Sequence, residues 1–169
     1  PQAGPALRAQ LGIAADVPVL LAVGMMRPGA KAKSYALLAK ALEKIPGDNW
    51  RLLVAGDGAA RAEITQQMET AAPGKAVFLG ALDAPALAEA YAASDILVWP
   101  AMDEAFGIAL LEAQAAGLPV VAGKQRGVPE IVSSGVTGLL PAPGDAAAFA
   151  KAVQRPLADP QTRARLGAP

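Results

Sequence analysis

The chain of 169 residues balances 15 Lys+Arg against 15 Asp+Glu, and a net charge of zero gives no electrostatic reason to bind nucleic acid or an anionic membrane surface. It has no cysteine and no histidine, which removes disulfides, thiol chemistry, the commonest general base and the commonest metal ligands. No apolar run approaches the ~20 residues of a membrane span, and the length suits one domain with its own core.

The first residues, Pro1-Gln2-Ala3-Gly4-Pro5, carry no initiator Met and no basic or apolar leader, so the chain reads as a piece of a longer protein. A short helix is expected over 6–11, ended by Gly12. The run V-P-V-L-L-A-V-G over 17–24 is continuously apolar and closed by glycine, which fits a strand buried on both faces. A loop with three cations follows over 25–33. Ser34 is the expected N-cap of a helix to 45, with Leu37, Leu38, Ala41, Leu42 and Ile45 on one face. After a turn at 46–49 come a strand over 50–56, the tight loop Gly56-Asp57-Gly58, and a helix over 60–72 stopped by Pro73-Gly74. A third strand covers 76–80. Asp83 caps a helix to 94 with Pro85 near its start, and 96–100 is a fourth strand. The next helix begins after Gly107 and ends at Gly117, a left-handed stop. A strand over 119–123, a short helix over 128–134, a strand over 137–141 and a helix from Asp145 to 158 complete the series, and the tail 159–169 begins another helix.

Strands alternating with helices along the whole length predict an α/β domain, a parallel sheet of about six strands with helices on both faces. Gly24, Gly56, Gly80, Pro100, Gly123 and Pro141 close the strands at their C-terminal ends. In an open α/β sheet that edge binds ligands, and the spacing puts the Arg27, Gly56 and Glu104 loops along one rim.

Four stretches carry candidate chemistry. Arg27, Lys31 and Lys33 precede a helix, where cations beside free amides make a phosphate site; a solvated basic loop is the other reading. Gly56-Asp57-Gly58 is either a tight strand-to-helix turn or a place where a ligand approaches the backbone closely. Gly107 and Ile108 open a helix whose amides and dipole face the rim. Glu104 lies just before that helix and Glu112 within it, separated by seven residues. Glu104 either complements the dipole or grips a hydroxyl. Glu112 stands in a nearly apolar helix, so it is expected to be buried and to need a partner, an ion pair or a ligand. Gly127-Val128-Pro129-Glu130 forms a turn into a short helix.

At E-A-F-G-I-A-L-L-E-A-Q-A-A-G-L-P-V-V-A, then G-V-P-E-I-V, then G-V-T-G-L-L, the chain resembles the retaining GT-B glycosyltransferases of family 4, the glycosyl transferases group 1. L-L-V-A-G-D-G, F-L-G-A-L and S-D-I-L-V-W-P fit as well, and the likeness runs over 18–149. One departure matters. The family commonly places Arg directly after the first glycine and a Lys-Gly pair soon after, whereas this chain has Gly24-Met25-Met26-Arg27, then Lys31 and Lys33 with no glycine after either.

The resemblance implies the C-terminal, Rossmann-like, donor-binding half of a GT-B enzyme. Residues 1–169 are then a single nucleotide-sugar-binding domain of a two-domain transferase, unable to transfer sugar alone. It implies that Arg27 and one of Lys31 and Lys33 meet the diphosphate of a UDP-, GDP- or ADP-sugar. Glu104 then holds sugar hydroxyls and acts with Arg27 and Lys31 in catalysis, and the amides of Phe106, Gly107 and Ile108 face diphosphate and sugar. Glu112 holds the ribose, and Gly56, Leu79, Gly80 and Leu82 lie along the nucleotide. The nucleotide sugar is substrate, with no cofactor and no metal required. The acceptor belongs mainly to the missing half, and the expected location is the cytoplasm or, through that half, the periphery of a membrane. Two other readings are a sugar-nucleotide epimerase on the same scaffold and a non-catalytic α/β binding module. A receiver-like domain needs an acidic cluster after the first strand, where Met25-Met26-Arg27 stands, and a dehydrogenase needs the complete glycine fingerprint.

Overall fold

The structure, a computed structural model, describes residues 3–103 and 107–167. Its strands are β1 (Val19–Val23), β2 (Arg51–Ala55), β3 (Ala76–Gly80), β4 (Ile96–Trp99), β5 (Val120–Ala122) and β6 (Gly138–Leu139). Its helices are α1 (Ala3–Gln10), α2 (Ala30–Leu42), α3 (Arg61–Ala71), α4 (Ala84–Ala93), α5 (Ile108–Ala115), α6 (Val128–Ile131), α7 (Ala146–Ala158) and α8 (Pro160–Gly167). All strand pairs are parallel, in the order β3-β2-β1-β4-β5-β6. That order reverses direction between β1 and β4: the chain leaves β1 towards β2 and leaves β4 towards β5. The loops after β1 and β4 therefore diverge and leave a crevice at the carboxyl edge of the sheet.

The apolar runs become the core because helices cover both faces. Val19, Leu20, Leu21 and Ala22 of β1, Ile96, Leu97 and Val98 of β4, and Val120, Val121 and Ala122 of β5 are all fully buried. α2 packs on α3 and α7, α7 on α8, and α1 on α4. Asp83 and Asp145 cap α4 and α7, their carboxylates accepting from the amides of Ala86 and Ala148 at 2.9 Å each. Gly117, with φ +82°, follows α5 in the left-handed stop expected of it.

The start of α2 differs from expectation. The helix begins at Ala30, after Gly29 with φ +94°, and Ser34 lies inside it, fully buried. A glycine free to adopt positive φ turns the chain into the helix one turn earlier than a side-chain cap would. Lys31 and Lys33 thus belong to the first turn of α2 rather than to a loop. Cations there oppose the helix dipole, at about 0.3–1 kcal/mol each, and no acidic residue shares that turn.

At the opposite edge of the sheet, Arg8 ties α1 to the strands. Its guanidinium donates to the carbonyls of Ala93 (2.9 Å) and Val17 (2.8 Å) and to Asp95 Oδ2 (2.7 Å), which also accepts from the Val19 amide at 2.8 Å. The two side chains are 13% and 30% exposed, so water replaces these bonds poorly. Arg8→Ala is expected to lower the unfolding free energy by about 2–3 kcal/mol, read as a lower urea midpoint at unchanged slope. A midpoint equal to wild type contradicts this account of the tie.

Candidate functional site

The crevice between the β1 and β4 loops is a cavity of about 440 Å³, a size that suits a nucleotide-scale ligand. Gly24 and Met25 come from the end of β1, Arg27 and Lys31 from the entry to α2, and Ala55, Gly56 and Asp57 from the end of β2. Trp99 ends β4, Gly107 is the residue before α5, and Ile108, Ala109, Leu110 and Glu112 come from α5. Ala81, Leu82 and Leu87 close the far wall beyond β3.

Close backbone packing shapes the floor. A Cβ on Gly56 would lie 1.9 Å from the Gly24 carbonyl oxygen, and one on Gly58 would lie 2.4 Å from that of Met26. The Met26 amide donates to Asp57 O and the Ala60 amide to Met26 O, both at 2.9 Å. The two glycines of Gly56-Asp57-Gly58 thus let the β2 loop lie directly against the β1 loop, and Gly56 also lines the cavity. The Asp57 carboxylate is occupied, accepting from the Gly58 amide at 2.8 Å and from Arg61 at 2.9 Å.

Trp99 forms the back of the cavity and is 4% exposed. Tyr35 meets it edge-on, with centroids 4.9 Å apart and planes at 82°, and donates its hydroxyl to Gly24 O at 2.6 Å. Burial pushes the Tyr35 phenol far above its ordinary pKa, so it stays neutral and keeps donating. A Cβ on Gly24 would come within 2.7 Å of the Trp99 ring, so the glycine admits the indole. The Lys31 ammonium stands 5.5 Å from the same ring's centroid, a cation–π distance.

The two lysines part company here. Lys31 lines the cavity, whereas Lys33 does not; it pairs with Asp103 at 3.4 Å, both side chains well exposed. Arg27, Lys31, Gly56, Leu82, Gly107, Ile108 and Glu112 are thus brought together. Leu79 and Gly80 do not line the cavity. They end β3, two strands away from β1, where the Gly80 carbonyl accepts from the Gly56 amide at 2.8 Å, and the chain reaches the wall only at Ala81 and Leu82. Glu104 and Phe106 lie outside the described residues.

Glu112 corrects one expectation: it is exposed, not buried. α5 lies at the rim and buries Leu110 and Ala113 only, leaving Ile108 at 62% and Leu111 at 45% exposure. Among the described residues the Glu112 carboxylate has no hydrogen-bond or ion-pair partner. It stands near Tyr91, whose phenol is pushed well above its ordinary pKa by burial first and then by the Glu112 charge. Tyr91 donates to Ala109 O at 3.3 Å, joining α4 to the first turn of α5.

Some lining residues escape sequence reading. Met25 and Asp57 lie in stretches the sequence singled out, but Leu87 and Trp99 carry no site signature; a large aromatic at the last position of a strand closing on the ligand rim is the one signal available for Trp99. Among the described residues, no group of three or more His, Cys, Asp and Glu side chains is placed to hold a metal ion. No helix among them is long and apolar enough to cross a membrane.

Comparison with known proteins agrees with this geometry. The model of the glycosyl transferases group 1 family matches residues 5–168. The chain is 36% identical over 155 residues to the sulfoquinovosyl transferase SQD2 of Arabidopsis thaliana, covering 90% of this chain and 29% of that protein. It is 34% identical over 167 residues to the D-inositol 3-phosphate glycosyltransferase of Corynebacterium efficiens, covering 95% and 39%. Among solved structures, the sucrose-phosphate synthase of Thermosynechococcus elongatus superposes with a TM-score of 0.84 at 37% identity, over 95% of this chain and 41% of that one. Anabaena HepE in complex with UDP-glucose gives 0.86 at 28% identity, over 99% and 46%. The chain therefore spans less than half the length of each of these proteins. With the family model matched almost end to end and the doubly wound sheet in place, the chain belongs to the glycosyl transferases group 1 family and has the Rossmann-like α/β fold of its GT-B structural neighbours.

Proposed function

We propose that this domain binds the nucleotide-diphosphate sugar of a retaining glycosyltransferase and is the donor half of a two-domain enzyme, inactive in transfer without its acceptor half. The observation that carries the reading is the convergence of Arg27, Lys31, the N-terminus of α5 and Glu112 on one cavity at the switch point of the sheet. HepE, a structural neighbour, is described in complex with UDP and with UDP-glucose, which supports a nucleotide sugar as the ligand here.

The chemistry follows from charge. When the bond between the anomeric carbon and the diphosphate oxygen breaks, its electron pair leaves with the diphosphate. Preorganised cations and amides that meet the growing charge lower the barrier. Arg27 and Lys31 supply the cations. The first-turn amides of α5, which a helix cannot pair within itself, supply oriented dipoles. On this reading the chain's own cations do that work, without a resident metal. Ala81, Leu82 and Leu87 give the base an apolar wall. Glu112, exposed on the rim and with spare acceptor capacity, takes the ribose hydroxyls. Glu104 takes sugar hydroxyls, which rests on the family resemblance.

Calorimetric titration with UDP, GDP and ADP tests the reading. One of the three is expected to bind, and Glu112→Ala to weaken it roughly 10- to 100-fold, the loss of hydrogen bonds to a charged acceptor. Folded protein that gives no heat with any of them at millimolar concentration removes the nucleotide site. Binding unchanged by Glu112→Ala removes the ribose assignment alone.

A further inference from the structure

The backbone leading from β4 towards Glu104 is held in an unfavourable shape. Ala101 and Asp103 both have left-handed dihedrals, φ +59° and +56°, and neither is glycine. Such conformations persist only where surrounding contacts enforce them, and they gather at sites where a precise pose is needed. Two side chains from two different elements supply those contacts. Ser34, fully buried in α2, accepts the Met102 amide on its hydroxyl at 2.8 Å. Gln125, from the loop after β5, accepts the Asp103 amide on Oε1 at 3.1 Å and donates from Nε2 to Met102 Sδ at 3.3 Å. The backbone of Gln125 is itself fixed, its amide donating to Gly123 O at 2.8 Å and its carbonyl accepting from the Val128 amide at 2.9 Å.

Neither side chain lines the cavity, so neither is placed to touch a ligand there. A buried serine inside a helix ordinarily returns its hydrogen bond to its own helix. The Ser34 hydroxyl oxygen, whatever its hydrogen donates to, also accepts from the neighbouring loop. Gln125 satisfies that loop with both ends of its amide. The Lys33–Asp103 pair touches the same loop, but both members are exposed and screened. It holds the backbone less firmly than the part-buried bonds of Ser34 to the Met102 amide and of Gln125 to Met102 Sδ.

We propose that Ser34 and Gln125 are positioning residues: by holding residues 101–103 they fix the backbone that leaves β4 beside Trp99 at the rim of the donor site, and so how the sugar end of the donor is met. This rests on the nucleotide-sugar reading above. Because α2 also carries Lys31, Ser34 couples the element that meets the diphosphate to that backbone.

The test titrates the full 169-residue chain with UDP, ADP and GDP and with the matching glucose-linked nucleotides, and carries forward the pair that binds. Ser34→Ala and Gln125→Leu are expected to leave the nucleotide diphosphate within about twofold of wild type. They are expected to weaken the sugar nucleotide about tenfold, the scale of a misplaced contact. Gln125→Glu, which keeps an acceptor for the Asp103 amide, is expected to restore most of the loss. Gln125 is only partly buried, so its variants report even if Ser34→Ala fails to fold, and thermal melts establish which variants are folded. Equal weakening of both ligands, or no weakening of either, overturns the proposal. So does a wild-type chain that binds both ligands equally, although that result leaves the nucleotide site intact. A wild-type chain that binds neither removes the nucleotide reading and this inference with it.

Discussion

On the proposed donor-binding reading, Lys31→Ala is expected to lower kcat of a two-domain transferase carrying this domain by about 100- to 1,000-fold, while Lys33→Ala leaves it within about threefold. The first figure is the usual loss on removing one preorganised charge stabiliser from a reacting centre, about 3–4 kcal/mol. The contrast comes from position. Both lysines lie in the first turn of α2, two residues apart, yet Lys31 lines the cavity over the Trp99 ring and Lys33 turns to Asp103. The Lys33–Asp103 pair is exposed, with side chains 63% and 48% accessible, and such pairs contribute about 0–1 kcal/mol. Lys33→Ala should therefore leave stability nearly unchanged as well. Steady-state rates with the donor saturating decide the matter: equal losses for the two variants contradict the assignment of Lys31, and a loss confined to Lys33 reverses it. Arg27→Ala belongs with Lys31→Ala, since Arg27 lines the same cavity.

The fold was legible because its strands announce themselves. Runs such as V-L-L-A-V and I-L-V-W admit no amphipathic helix, and each is closed by a glycine or proline near its end. That fixed the carboxyl rim, and with it the meeting of the Arg27 and Gly56 loops with the helix start at Gly107, whereas a ligand role for Glu112 rested on the family resemblance. What stayed hidden depended on tertiary choices. Ser34 looked like a helix cap because serine favours that position. Gly29, five residues earlier, instead turned the chain into the helix and left Ser34 for another task. Glu112 looked buried because its neighbours are apolar, but hydropathy does not tell which face of a helix at a sheet's rim is covered. The choice between Lys31 and Lys33 could not be made from spacing, since residues two apart on a helix point about 200° apart and either of them could face the rim.

Gly56→Ala is expected to be more damaging than the same change at the other glycines whose surroundings the structure describes. The new Cβ would stand 1.9 Å from the Gly24 carbonyl oxygen, far inside contact distance, and at a backbone φ of +154° that side chains rarely adopt. Relief by movement is blocked on both sides. The Gly24 amide donates to Ala55 O at 3.0 Å, its carbonyl accepts the Tyr35 hydroxyl at 2.6 Å, and the Gly56 amide donates to Gly80 O at 2.8 Å. Separating the two loops would break sheet bonds at the end of β1 and tilt Tyr35 away from Trp99. An overpacked core site costs about 1–3 kcal/mol and a disallowed backbone about as much again. The unfolding free energy should thus fall by roughly 3 kcal/mol or more, which urea denaturation measures directly. The same separation would move Arg27 and Lys31 relative to Trp99, so any folded fraction should bind nucleotide poorly. Gly47→Ala is the internal control: Gly47 also has positive φ, +86°, but a Cβ there meets nothing within 4 Å. Only the backbone term applies, and a loss of about 1 kcal/mol is expected. If the two variants lose the same stability, backbone conformation and not loop contact explains Gly56, and the packing of the β2 loop against the β1 loop has been given too large a part in shaping the site.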